Sequence, residues 1–145
     1  MKSLIQLLVI VAILPGCGQD AKKDKATDLE AEVMTIHDAV MPQMDDIMSL
    51  KSKLSKEIQH IDSLQNIGIS SNTMAEQRIK AVDLNQKLND SDKLMMNWMH
   101  EYRGDSAKKL KSEEAIAYFE KEREKILLVK QTTAKSIQEA KTFLE

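Results

Sequence analysis

Val33-Met34-Thr35-Ile36-His37-Asp38-Ala39-Val40-Met41-Pro42-Gln43-Met44-Asp45-Asp46-Ile47 is the stretch on which the fold turns, because it carries a helical repeat straight through a proline. Val33, His37, Val40, Met44 and Ile47 follow alternating steps of four and three, and the series continues through Lys51, Leu54, Ile58 and Ile61. Leu50, Leu64, Met34, Met41 and Met48 widen the same apolar stripe. Pro42 removes one backbone donor inside this helix and disfavours helix at Met41. The repeat does not change phase there, so the sequence predicts a kink with the helix continuing on one face.

Outward from this segment the pattern recurs twice. Asn66-Ile67-Gly68-Ile69-Ser70-Ser71-Asn72 loses both periodicity and charge and reads as a turn. Thr73 and Glu76 then form a capping box for a second helix, whose face is Met74, Ala81, Leu84, Leu88, Ser91, Met95, Trp98 and Tyr102. Gly104 is placed to end that helix in a left-handed cap. After a linker from Asp105 to Lys111, Ser112 starts a third helix with Ala115, Phe119, Ile126, Val129, Thr133, Ile137, Ala140 and Phe143 on its face. Three amphipathic helices of roughly 30 to 38 residues with short connections predict an all-α, coiled-coil-like bundle in antiparallel up-down-up order.

Composition agrees with that architecture. The chain has 145 residues, of which 30% are charged, with only four glycines and two prolines, which leaves room for one domain of long helices and little for a sheet. A net charge of -2 provides no excess of cations for phosphates, so nucleic acid is not an expected partner.

The beginning of the chain reads as an address. Lys2 precedes an apolar run from Leu4 to Leu14, interrupted only by Gln6 and too short to span a bilayer as a mature helix. Leu14-Pro15-Gly16-Cys17 resembles the lipobox of bacterial lipoproteins, in which the cysteine receives diacylglycerol and becomes the first mature residue. The expected organisation is a signal peptide over residues 1–16, a lipidated Cys17 with a flexible polar tether over 17–26, and a bundle over 27–145 opened by a Thr27-Asp28-Leu29-Glu30 capping box. Cys17 is the only cysteine.

Motifs of catalysis are sparse. There is no glycine-rich phosphate loop and no pair of histidines on one helix face. Glu57-Ile58-Gln59-His60 has the Glu-x-x-His spacing of di-iron bundles, but it occurs once and lies outside the stripe marked by Ile58 and Ile61. Methionine is the asymmetric feature: from Met34 to Met99 it recurs through the first two helices, and the third has none. Folding the first hairpin about its turn brings Met44 opposite Met95, Met41 opposite Trp98 and His37 opposite Tyr102. Folding the second sets Trp98 level with Tyr118 and Phe119. Thioethers packing on rings around a kink account for such a layer. A soft-metal site for cuprous ion, drawn from His37, Met41, Met44, Met95 and Met99, is the alternative.

The segment from His37 to Met48, together with Met95-Met96-Asn97-Trp98-Met99-His100, resembles a group of small lipoproteins of Bacteroidota, some of which carry the label "viral A-type inclusion protein". That resemblance implies a lipid-anchored helical protein and supplies no catalytic or ligand residues. The expected protein is therefore not an enzyme and uses no cofactor. It would be anchored in the bacterial cell envelope, at the outer membrane, serving as a structural or protein-binding accessory. Its partners would be the membrane, through the N-terminal lipid, and another envelope protein.

Overall fold

A computed structural model describes residues 17–145, which fold into five helices: α1 (Cys17–Val40), α2 (Gln43–Asn66), α3 (Asn72–Glu101), the single turn α4 (Gly104–Ala107) and α5 (Ser112–Leu144). Residues 1–16, where the sequence suggests a signal peptide, lie outside the described residues. Three long helical arms result, with α1 and α2 forming one bent arm. α1 packs chiefly on α5, α2 chiefly on α3, and α3 on α5. Ion pairs give the directions. Lys22–Glu113, Lys25–Glu120 and Glu32–Arg123 at 2.6, 3.0 and 2.8 Å rise together, so α1 runs parallel to α5. Asp62–Arg78 and Lys87–Glu139 run in opposite senses, so α3 is antiparallel to both neighbours. The up-down-up order read from the repeats is the observed one.

The heptad positions are the core. Val33, Val40, Ile47, Leu54 and Ile61 on the first arm meet Ala81, Leu84, Leu88, Met95 and Trp98 of α3 and Ala115, Phe119, Ile126, Val129 and Ala140 of α5. At Pro42 the backbone keeps helical angles (φ -61°, ψ -23°) while the ladder is interrupted. Met41 N–H still reaches the His37 carbonyl at 3.0 Å, and the Gln43 side chain donates to the Ala39 carbonyl at 3.2 Å. Val40 and Ile47 stay fully buried on either side, so the kink leaves the buried face in phase. Pro42→Ala is expected to straighten the arm and leave stability unchanged or raised by up to about 3 kcal/mol. A loss above about 2 kcal/mol in urea unfolding would show that packing requires the bend.

Four local expectations are corrected. Residues 17–26 are not a loose tether: α1 starts at Cys17, Ala26 is buried against Phe119, and Lys22 and Lys25 are paired with α5. Thr27 consequently sits inside a helix, where its hydroxyl donates to the Lys23 carbonyl at 3.1 Å and caps nothing. Polar composition misled here because the helix gains its partners from a segment far along the chain.

The cap of α3 is Ser71, whose hydroxyl accepts the Met74 N–H at 3.2 Å; Thr73 is already helical. Gly104 does not end α3 in a left-handed turn. Gly68, at φ 82°, is the glycine that does this work, at the end of α2. Its N–H donates to the Gln65 carbonyl and the Ile69 N–H to the Leu64 carbonyl, both at 3.0 Å, the pairing of a Schellman cap.

Candidate functional site

The kink sits beside a run of rings that crosses three helices. His37 of α1 lies 5.6 Å from Trp98 of α3, Trp98 lies 5.0 Å from Tyr102, Tyr102 6.3 Å from Tyr118, and Tyr118 packs edge-on to Phe119 at 5.3 Å. These are the spacings at which aromatic pairs attract through their quadrupoles. The helical repeat places them: Trp98 and Tyr102 are one turn apart on α3, and Tyr118 and Phe119 open α5.

Between α3 and α5 the register departs from expectation. Trp98 clusters with Ile126 and Val129 rather than standing level with Tyr118 and Phe119. The cause is α4, which carries the chain on beyond the end of α3 before α5 turns back. Tyr102 therefore inherits the place beside Tyr118. Gly104 is the residue that lets the chain pass there, because a Cβ on it would fall 2.6 Å from the Tyr102 oxygen and 2.7 Å from its ring. Its role is close approach, not backbone handedness.

Acid groups gather around these rings. Glu122 occupies the core-facing step between Phe119 and Ile126 and is only 3% exposed. One of its oxygens accepts from Lys125 Nζ at 2.8 Å, while the other, Oε2, is buried with no hydrogen-bond partner; so are Trp98 Nε1 and Tyr102 Oη. The carboxylate holds the Lys125 ammonium protonated beyond its ordinary range. Burial, with the nearby charges of Glu30 and Glu122 behind it, pushes the Tyr102 phenol far above its ordinary value, so it stays protonated. Burial raises Tyr118 too, although its oxygen accepts the Arg103 N–H at 2.6 Å. Glu30 is held by Lys108 at 2.9 Å. A neutral phenol, an indole N–H and a buried carboxylate can bind and orient a small polar group.

The sequence-derived ligand set is divided by the fold. His37 is half-buried against Trp98, with Nδ1 2.9 Å from Asp38. Met95 is fully buried, and Met44 and Met99 pack against the same cluster. Met41 faces solvent and does not cover Trp98, and Met48 is likewise exposed, so neither widens the core stripe. Cys17 is the first residue of α1, at the end of the bundle away from the kink. No group of three or more His, Cys, Asp or Glu side chains able to hold a metal is found among the described residues. The charge of Glu122 masks a perfect heptad position in the sequence. The alternation from Phe119 to Ile126 was the signal.

No helix among the described residues is long and apolar enough to cross a membrane. No family model, curated protein or solved structure matches the chain, and the site is read from its own geometry.

Proposed function

We propose that this is a lipid-anchored helical protein of the bacterial envelope, held by Cys17 and acting as a rigid spacer that presents a protein-binding tip. The observation that carries the reading is the placement of the two ends. α1 leaves Cys17 as helix, pinned to α5 by Lys22 and Lys25, so a lipid on Cys17 would seat the bundle against the bilayer without slack. The bent arm from Cys17 to Asn66 is about 70 Å long at the rise of an α-helix. At its far end the α2–α3 turn exposes Ile67 (72%) and Ile69, and Ile79 (68%) and Val82 are exposed on the following turns of α3. Exposed aliphatic side chains in such a group mark a contact surface rather than a solvated tip.

The role is structural or accessory, with another envelope protein as partner; the likeness of the Met-rich segments to Bacteroidota lipoproteins supports the lipid anchor alone. Cys17→Ser should move the protein from the membrane fraction to the soluble one. Ile67→Lys with Ile79→Lys should leave it in the membrane fraction but abolish crosslinking to a single stoichiometric envelope protein. Retention of the Cys17→Ser protein in membranes would remove the anchor from this account, and an unchanged crosslink in the tip variant would remove the docking end.

A further inference from the structure

We propose that Trp98, Tyr102 and Tyr118 form a one-electron relay that carries an oxidising equivalent from the indole, where the three arms meet, to the phenol of Tyr118 at the solvent edge. Ring spacing carries the inference. Between centroids, Trp98 stands 5.0 Å from Tyr102 and Tyr102 stands 6.3 Å from Tyr118, tilted at 33° and 44°, so each ring lies within the contact range of the next. The chain has one tryptophan and two tyrosines, so every indole and phenol it possesses is in this run. His37 on one side and Phe119 on the other are harder to oxidise than either group and close the relay at its ends.

The two ends differ in access to solvent and in where a proton can go. Trp98 lines, with Leu94, Glu101, Lys125 and Leu128, a cleft of about 240 Å³ on the outer seam between α3 and α5. A small oxidising radical of the azidyl or carbonate class takes one electron there, leaves as its anion, and turns the indole into a cation radical. Trp98 Nε1 and Tyr102 Oη are buried without an acceptor in the protein, so neither ring sheds its proton readily. Tyr118 does: its oxygen sits in an exposed hydrogen bond, accepting the Arg103 N–H at 2.6 Å, and its proton passes to water. An electron therefore moves from Tyr118 by way of Tyr102 to Trp98. The indole is restored, a neutral phenoxyl remains on Tyr118, and one proton enters solvent. A hydrogen-atom donor such as ascorbate then returns the phenoxyl to phenol, so one oxidant and one donor are consumed and the protein is unchanged. Trp98 and Met95, neighbours in the middle core cluster, are spared lasting oxidation. The proposal depends on neither the anchor nor the tip.

The test is pulse radiolysis of the native, detergent-solubilised chain in azide solution, where the azidyl radical oxidises the indole and the indolyl and phenoxyl absorptions are followed separately. The indolyl signal is expected to decay in first order while the phenoxyl signal grows at the same rate, independent of protein concentration. That concentration dependence is read on the unaltered protein and needs no variant. Tyr118→Phe should abolish the growth, Tyr102→Phe should slow it, and Trp98→Phe should remove the slow phase altogether. Each of these changes keeps a ring, and thermal unfolding checks that the fold is retained. A transfer rate proportional to protein concentration, an indolyl decay without phenoxyl growth, growth that survives Tyr118→Phe, or an unchanged rate in Tyr102→Phe would overturn the relay.

Discussion

Trp98→Ala is expected to lower the unfolding free energy by about 3 to 5 kcal/mol, the range for truncating a large buried aromatic. Trp98 is the largest side chain of the middle core cluster and meets Val33, Ile36 and Val40 of α1, Met95 beside it, and Ile126 and Val129 of α5. Its loss empties the point where all three arms meet. It also removes both ring contacts, to His37 and Tyr102, which are worth about 0.5 to 1.5 kcal/mol beyond area burial. The helices should persist in far-ultraviolet circular dichroism at low denaturant while the urea midpoint falls sharply. Trp98→Phe, which keeps a ring, should cost markedly less. A loss below about 1.5 kcal/mol for Trp98→Ala would mean that the three arms do not close on this residue.

The second large effect is a pair of opposite signs at one ion pair. Lys125→Met should cost about 2 to 3 kcal/mol, because it strands the Glu122 carboxylate in the core. The cost stays below that of a fully enclosed pair because Lys125 itself is partly exposed and water can approach. Glu122→Leu should be neutral or stabilising by about 1 to 2 kcal/mol, since it fills a heptad position with an apolar side chain and abolishes a buried oxygen without a partner. Urea unfolding of both variants and of the double variant decides the matter. Were Glu122→Leu the more damaging change, the carboxylate would be holding something more than Lys125.

The same residue shows what could and could not be read in advance. The arms, their order, the buried faces and the continuity through Pro42 were legible because they follow from local spacing. Pairing across the seams was less so. The α2–α3 hairpin has a tight turn capped by Gly68, and its register came out within a residue. The α3–α5 hairpin contains α4, which moved Trp98 by more than two turns of α5 and gave Tyr102 the place beside Tyr118. Loop path sets that offset, and the repeat is silent on it. The 17–26 segment was misjudged for a related reason: its helix is held by Glu113 and Glu120, which no local pattern reveals. Met41 and Met48 were assigned to the core by spacing alone, and the bend at Pro42 together with the width of the α3 contact leaves them outside.

Anchoring at Cys17 is the claim on which the biological reading rests, and the intact mass of the native protein tests it most directly. The account predicts a chain that begins at Cys17 and carries a diacylglycerol adduct on its sulfur, with residues 1–16 absent. A native protein with an unmodified Cys17 thiol, or with its mature terminus at any other residue, would contradict it.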